Sequence, residues 1–434
     1  MAGQLDEERQ IQVRFVTKLP AELRVASTPF SLPTHLSRYG LSEVINALLG
    51  LEKQQPFDFL VDGELLRTSL EQILLDKKLS AETTLVIEYA YAVGPPKREK
   101  SHEHNDWVSA VEGSHPRFIV TGSYDNSIRI WGASGSIIQS LEGHKDPVTS
   151  LKISMPTVDG EKWNLISGSK DHTVRVWQLS QTSSKDAANS ELSLSQPVKV
   201  LKGHTSSVQC VTSDRSGTAV CSGSWDCSIK LWNVSERENE EGPAIQTKRR
   251  KLNASTEVQE LEVCATITLE GHKQCVSAVS WGERGSVVSA SWDHSIRSWD
   301  VETSINTETL VGAKALHCLS VGGENMSLFA AGGADPVLRI WDPRMPGTNT
   351  PIFQLSSHNA WISACKWHSS SSHHIFSASY DGSIKLWDLR SKIPLLTIDA
   401  HKGKVLSADW WNKDSIVSGG TDSLLQIFSG FHRS

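Results

Sequence analysis

The sequence predicts a mainly β protein: a small N-terminal domain followed by a seven-bladed β-propeller. Two observations carry the propeller. A ten-residue phrase recurs seven times over the C-terminal three quarters of the 434-residue chain, and a histidine precedes most copies at a similar distance. The third observation is a different order of strands and helices ahead of the first copy, which sets the N-terminal stretch apart. The phrases read GSYDNSIRIW (122–131), GSKDHTVRVW (168–177), GSWDCSIKLW (223–232), ASWDHSIRSW (290–299), GGADPVLRIW (332–341), ASYDGSIKLW (378–387) and GGTDSLLQIF (419–428). In each an Asp stands six residues before a Trp or Phe.

These aspartates are Asp125, Asp171, Asp226, Asp293, Asp335, Asp381 and Asp422. Upstream stand His144, His204 and His272 after glycine, then His358 and His401, with His104 taking this part in the first unit. Between the landmarks run segments such as VTSLKIS, NLISGS and TVRVW, whose alternation and β-branched content mark short strands parted by tight turns. Four such strands per unit of about 40–45 residues make one propeller blade. The Asp belongs in the turn between the second and third strands, where it accepts a hydrogen bond from its blade's His. A Ser or Thr on the second strand and the Trp indole can join the network. The repeated histidines therefore read as structural. The joint recurrence of Gly-His, turn Asp and terminal Trp resembles the WD-repeat family and covers residues 105–434.

Two units depart from the pattern. The fifth has no Gly-His, and Pro336 follows its Asp335, so its network is expected to be incomplete. The seventh ends in Phe428 with only SGFHRS beyond it, so the last blade needs an outer strand from elsewhere, and the linker 93–104 is the candidate donor. Insertions at 180–196, rich in Ser, and 235–263, strongly charged, fall between third and fourth strands and are expected as disordered surface loops.

The N-terminal domain, 1–92, opens with the alternating strand IQVRFVTK (11–18), followed by AELRVASTPFSL as a hairpin partner or looser second strand. LSEVINALLG (41–50) places Leu41, Val44, Ile45, Leu48 and Leu49 on one helical face and stops at Gly50. FDFLVDGELL is a strand with an Asp-Gly turn, TSLEQILLDKK a short helix, and TTLVIEYA a closing strand. The order ββαββ resembles the ubiquitin-like β-grasp superfamily.

The balance of 49 Asp and Glu against 43 Lys and Arg gives a net charge of −6, too mild and too negative to mark the whole chain as a nucleic-acid binder. Residues 1–92 hold 13 acidic and 9 basic residues, a net of −4. Seven cysteines without C-x-x-C spacing suggest neither zinc nor a disulfide framework, and a reducing compartment. The polar start carries no secretory or transit signal, and no stretch is apolar enough to span a membrane.

Candidate functional residues fall in two places. The residue before each turn Asp should surface on one rim of the propeller: Tyr124, Lys170, Trp225, Trp292, Ala334, Tyr380 and Thr421, four of seven aromatic. Trp107 and Trp361, at the starts of first strands, should open onto the same rim. Aromatic rings around a funnel suit protein docking, though such rings can also serve blade packing alone. The cluster Lys248, Arg249, Arg250 and Lys251 has the form of a nuclear-import signal, or else is a solvated charge run. Arg129, Arg175, Lys230, Arg297, Arg339 and Lys385, each two before the terminal Trp, read as snorkelling or inter-blade residues. No nucleophile–base pair, phosphate loop or closely spaced carboxylate set points to an enzyme.

The N-terminal run SRYGLSEVINALLG…PFDFLVDGELLRTSLEQ…LSAETTLVIEY followed by NDWVSAV closely resembles the Ytm-type family, the WD-repeat subunits of the PeBoW (Pescadillo and Block-of-proliferation) complex. That resemblance implies a non-catalytic nuclear and nucleolar factor for maturation of 28S and 5.8S rRNA and of the large (60S) ribosomal subunit. It implies a propeller docked on the Block-of-proliferation WD-repeat protein, and a ubiquitin-like (NLE-type) domain bound by the metal-ion-dependent adhesion site of the ATPase midasin. It also implies that Glu82, in LSAE, completes the shell of a Mg²⁺ held by midasin, a hard cation that takes oxygen ligands. The chain itself would then hold no metal or cofactor. On the residues alone, Glu52, Glu64 and Glu71 are rivals for that role. A Notchless-type factor, expected to carry eight repeat units, and a ubiquitin-ligase substrate receptor are the alternative readings.

Overall fold

The computed structural model describes residues 9–51, 53–77, 84–94, 96–99, 101–133, 135–154, 162–181, 192–235, 247–249, 259–282, 285–323, 326–345, 350–412 and 414–431. They divide into two units, split between Pro96 and Lys97.

The first unit is a five-stranded sheet with two helices on one face. β1 (Gln10–Val16) pairs antiparallel with β2 (Phe30–Pro33) and parallel with β5 (Leu85–Tyr91). β5 in turn pairs antiparallel with β3 (Phe57–Val61), which turns into β4 (Glu64–Leu65). Asp62 (φ 52°) and Gly63 (φ 79°) make that turn, both in the left-handed region that a two-residue hairpin demands. Helix α1 (Arg38–Leu49) ends at Gly50 (φ 62°), where a left-handed cap is easiest for glycine. It begins three residues before the apolar periodicity does. Leu41 and Ile45 enter a core with Ile11, Val13, Phe15, Phe57, Phe59 and Tyr89, whereas Leu48 is exposed. α2 (Leu70–Lys77) buries Leu70 and Leu74. The stretch after β1 is mostly irregular, with a 3-10 turn at Ala21–Leu23; the second strand is only four residues long. Tyr89 pins this stretch, its hydroxyl donating to Leu23 O (2.6 Å) and accepting from Val25 N–H (2.9 Å).

The second unit is the WD-repeat propeller: seven sheets among the described residues, one per repeated phrase. Their innermost strands are Val108–Glu112, Val148–Ser154, Val208–Ser213, Val276–Trp281, Leu316–Gly322, Ile362–Trp367 and Val405–Trp411, and each touches the next until the last meets the first. The small residue opening each phrase follows from this closure. A Cβ on Gly122, Gly168, Gly223 or Gly332 would come within 2.6–2.9 Å of Val148, Val208, Val276 or Ile362 on the next blade. Gly419 meets Val108 in the same way and closes the ring. Hydroxyls reinforce the seams: Thr149 donates to Val208 O and Ser277 to Leu316 O, each 2.6 Å. The outer strand of blade 7 comes from the linker, whose β6 (Lys97–Arg98) and β7 (His102–Glu103) pair antiparallel with Leu424–Ser429. The closing strand thus lies within the 93–104 linker, as expected, and the second unit begins at Lys97.

The described parts of the insertions are strands rather than loops, while 182–191, 236–246 and 250–258 lie outside the described residues. Thr173–Gln181 and Leu192–Lys202 form one long hairpin that absorbs both ends of 180–196. Within 235–263, Gln259–Cys264 lies parallel to the end of that hairpin (Val198 opposite Glu260), and Thr247–Arg249 pairs with it as the outermost strand. Blade 2 is therefore six-stranded. Free backbone donors and acceptors on a blade's outer edge explain why a charged segment adds there.

Candidate functional site

Each turn Asp is held by its own blade. In blade 2, Asp171 meets His144 Nδ1 at 2.9 Å, His144 Nε2 meets Ser167 Oγ at 2.7 Å, and Trp177 Nε1–H donates to the same oxygen at 2.9 Å. The set recurs with His204, Asp226 and Trp232; His272, Asp293 and Trp299; and His358, Asp381 and Trp387. Blade 7 keeps His401, Asp422 and Ser418, with Phe428 in place of the indole. In blade 1, His104 reaches Thr121 (2.6 Å), but Asp125 lies 3.9 Å from its Nδ1 and takes Arg129 at 3.4 Å. Blade 5 has no histidine here; Arg339 clamps Asp335 through two bonds of 3.0 and 2.6 Å. Burial pushes His144, His272, His358 and His401 below the ordinary imidazole pKa, and His104 to about 4. Burial alone would raise Asp381, but hydrogen bonds from Ser383 and Asn359 hold it at about 2. His144, His272, His358 and His401 are thus neutral groups with both ring nitrogens bonded, whereas the buried Nδ1 of His104 has no hydrogen-bond partner.

The network fixes the rim. The residue before each turn Asp donates its N–H to the residue that leads into the inner strand, as in Tyr124 to Trp107 O (2.9 Å), Trp225 to Ser207 O (3.0 Å) and Tyr380 to Trp361 O (2.9 Å). Trp107, Trp225 and Trp361 are exposed, at 44%, 45% and 48%. Tyr124, Trp292 and Tyr380 are half-buried. The rings meet in two groups. Trp107 lies 5.4 Å from Tyr124, whose face carries the Lys170 ammonium at 4.4 Å. The larger group is an unbroken arc: Trp225 to Trp292 (4.7 Å), Trp292 to His317 (5.5 Å), His317 to Trp361 (5.4 Å, stacked) and Trp361 to Tyr380 (6.1 Å, stacked). Tyr380 carries Lys404 at 5.1 Å. Much of this rim lines a central cavity of about 850 Å³.

Sequence reasoning missed His317, the hinge of the arc. It occupies the inner-strand position filled in the other blades by Ser109, Thr149, Gln209, Ser277, Ser363 and Leu406, and the missing Gly-His of the fifth unit was the signal that a lone His nearby had another task. Deeper in the channel, Glu112 and Asp409, far apart in sequence, are brought close. Lys152 binds Glu112 at 2.7 Å, and Asp409 accepts from Gly113 N–H at 3.0 Å. Burial would raise Glu112, yet Lys152 and Lys366 hold it at about 2, whereas burial with Glu112 alongside raises Asp409. This cluster ties blades 1, 2, 6 and 7 together.

The repeated cations serve neighbouring strands and turns: Arg175 binds Glu260 at 2.9 Å, Lys230 donates to Thr268 at 2.9 Å and Lys385 to Ser357 O at 3.0 Å. Glu82, Arg250 and Lys251 lie outside the described residues; Lys248 and Arg249 belong to the outermost strand of blade 2. Among the described residues no group of three or more His, Cys, Asp or Glu could hold a metal ion, and no helix is long and apolar enough to cross a membrane.

Such a molecule, a β-grasp unit joined to a propeller with an aromatic rim, is in class a WD-repeat protein with an NLE domain. The family model "NLE (NUC135) domain" matches residues 11–74, and "WD domain, G-beta repeat" matches 96–132, 135–178, 195–233, 264–300 and 349–388. A protein of Oryza sativa subsp. japonica named ribosome biogenesis protein WDR12 homolog is 50% identical over 99% of this chain and 98% of its own. Those of Arabidopsis thaliana (49%, over 98% of each) and Chlamydomonas reinhardtii (38%, over 97% and 98%) carry the same name. The chain belongs to the WDR12 family of ribosome biogenesis proteins.

Proposed function

We propose that the chain is a non-catalytic scaffold subunit of the PeBoW complex, needed for maturation of 28S and 5.8S rRNA and assembly of the 60S subunit. Its propeller rim docks the Block-of-proliferation protein and so joins Pescadillo on pre-60S particles. Its NLE domain presents Glu82 to the Mg²⁺ of midasin, which releases the complex. The chain works in the nucleoplasm and nucleolus, with Lys248–Lys251 serving import.

The observation that carries this reading is the aromatic arc, in which the exposed rings of Trp225 and Trp361 join the half-buried Trp292, His317 and Tyr380, in a chain of this family. Large rigid side chains at low entropic cost are what protein interfaces use as anchors. The seven sheets, rather than eight, favour this family over the Notchless-type alternative. Affinity purification of the full chain from nuclear extract tests it. The wild type should capture Pescadillo, the Block-of-proliferation protein and midasin; Trp225→Ala with Trp361→Ala should lose the first two, and Glu82→Ala should lose midasin alone. Capture of proteasome or ubiquitin-ligase subunits in their place would overturn the proposal.

A further inference from the structure

Among the described residues, the NLE domain holds a cation with one edge unpaired. Arg67 stands between β4 and α2, and its Nε and Nη2 atoms are buried without a hydrogen-bond partner. These two atoms form one edge of the guanidinium, the edge that grips a carboxylate through two parallel bonds. A buried guanidinium edge without an acceptor loses its hydration and gains nothing in return.

Around it lies a cavity of about 160 Å³ lined by Val61, Glu64, Leu65, Thr68, Ile73, Asp76 and Lys77. Water's share of liquid volume is about 30 Å³, so a carboxyl-bearing side chain fits here. Both local carboxylates are engaged elsewhere: Glu64 with Lys77 at 3.3 Å, Asp76 with Gln72 Nε2 at 2.9 Å. Lys77 also takes Val61 O and Asp62. Val61, Leu65 and Ile73 supply apolar walls that strengthen any ion pair formed between them. Lys77 is five residues before Glu82, a separation that an extended chain spans in at most about 17 Å.

We infer that Arg67 is a second anchor on the NLE domain, taking an aspartate or glutamate side chain of the protein that binds Glu82; this rests on the midasin reading above. The two contacts have opposite polarity. This chain gives a carboxylate to the partner's metal and receives a carboxylate from the partner on Arg67, which fixes orientation where a single ligand could pivot.

The test measures binding of the full-length chain to the isolated metal-site domain of midasin with Mg²⁺, for wild type, Glu82→Ala, Arg67→Met and Arg67→Lys, together with thermal melting of each free chain. Arg67→Met should weaken binding about 30-fold or more, as truncation of one partner of a desolvated charge pair does. Arg67→Lys should recover only part, because the fork is lost. Melting of the free Arg67→Met chain should be unchanged or raised, since no bond is removed. If Arg67→Met binds like wild type while Glu82→Ala does not, the second anchor is refuted and the midasin reading stands. If its melting falls and binding holds, Arg67 serves Glu64 or Asp76 within the fold. If the wild type itself fails to bind, both readings fall.

Discussion

Blades 4 and 5 are neighbours built by one sequence pattern, yet they solve the turn differently. In blade 4, Asp293 is held by His272, which passes the network to Ser289 and Trp299. In blade 5 the histidine is absent, Ala331 replaces the serine, and Arg339, on the strand that follows the turn, clamps Asp335. Both blades still form four strands and bury their faces, with Ile296, Leu310, Leu319 and Phe329 sharing one cluster. The comparison teaches that a blade requires a satisfied turn carboxylate and two apolar faces, while the histidine adds depth to the network. Released from that duty, blade 5 places His317 at the channel mouth, where it joins Trp292 to Trp361. A local departure from the repeat coincides with the candidate interface, as departures at functional sites do.

Four measurements would break or sharpen the contrast. The largest effect belongs to His272→Ala, which strands Asp293 and Ser289 in a buried site; chemical denaturation of the propeller should show a loss of about 3 kcal/mol. The loss with Arg339→Met in blade 5 should be about 1 kcal/mol, because that pair is shallower and Arg339 spans a single hairpin. Equal losses in the two blades would remove the distinction.

Acid should act through the histidines. Their pKa values are lowered in the folded state, and His104 and His115 fall to about 4. The unfolded chain therefore binds protons first, and stability is complete above about pH 6.5 and falls as pH drops toward 4. Each such histidine contributes at most about 1.4 kcal/mol per pH unit in that window. The slope of stability against pH should flatten in His272→Ala and stay unchanged in Arg339→Met. The smallest effect on stability should come from His317→Ser, which restores the side chain of other blades: its denaturation midpoint should match wild type, while capture of the propeller's partner falls. Unchanged capture would remove His317 from the interface.

Most of the propeller was legible because its chemistry is local and repeated. The spacing of Asp to Trp, the small residue that opens each phrase and the histidine ahead of it are all short-range consequences of one blade geometry. Blade 5 could be recognised as incomplete but not as compensated by Arg339, since a cation recurs at the same place in five other blades and in four of them has a partner other than the turn Asp. The strand Gln259–Cys264 was not legible. Its partner, Val198–Lys202, is about sixty residues away and runs parallel, and its glutamates read as loop composition. The rim aromatics were found from register alone. The joining of Trp225, Trp292, Trp361 and Tyr380 into one arc depends on His317, and the unpaired edge of Arg67 has no counterpart in any sequence pattern.

In the proposed function, one chain holds its complex on the pre-ribosome through the propeller and surrenders it through Glu82. Sucrose-gradient sedimentation of nuclear extract containing tagged wild-type or Glu82→Ala chain tests this most directly. The variant should enter large-subunit precursors normally, accumulate there and lack midasin. A variant that sediments and turns over like wild type, or a wild-type chain that stays free of precursor particles, would contradict it.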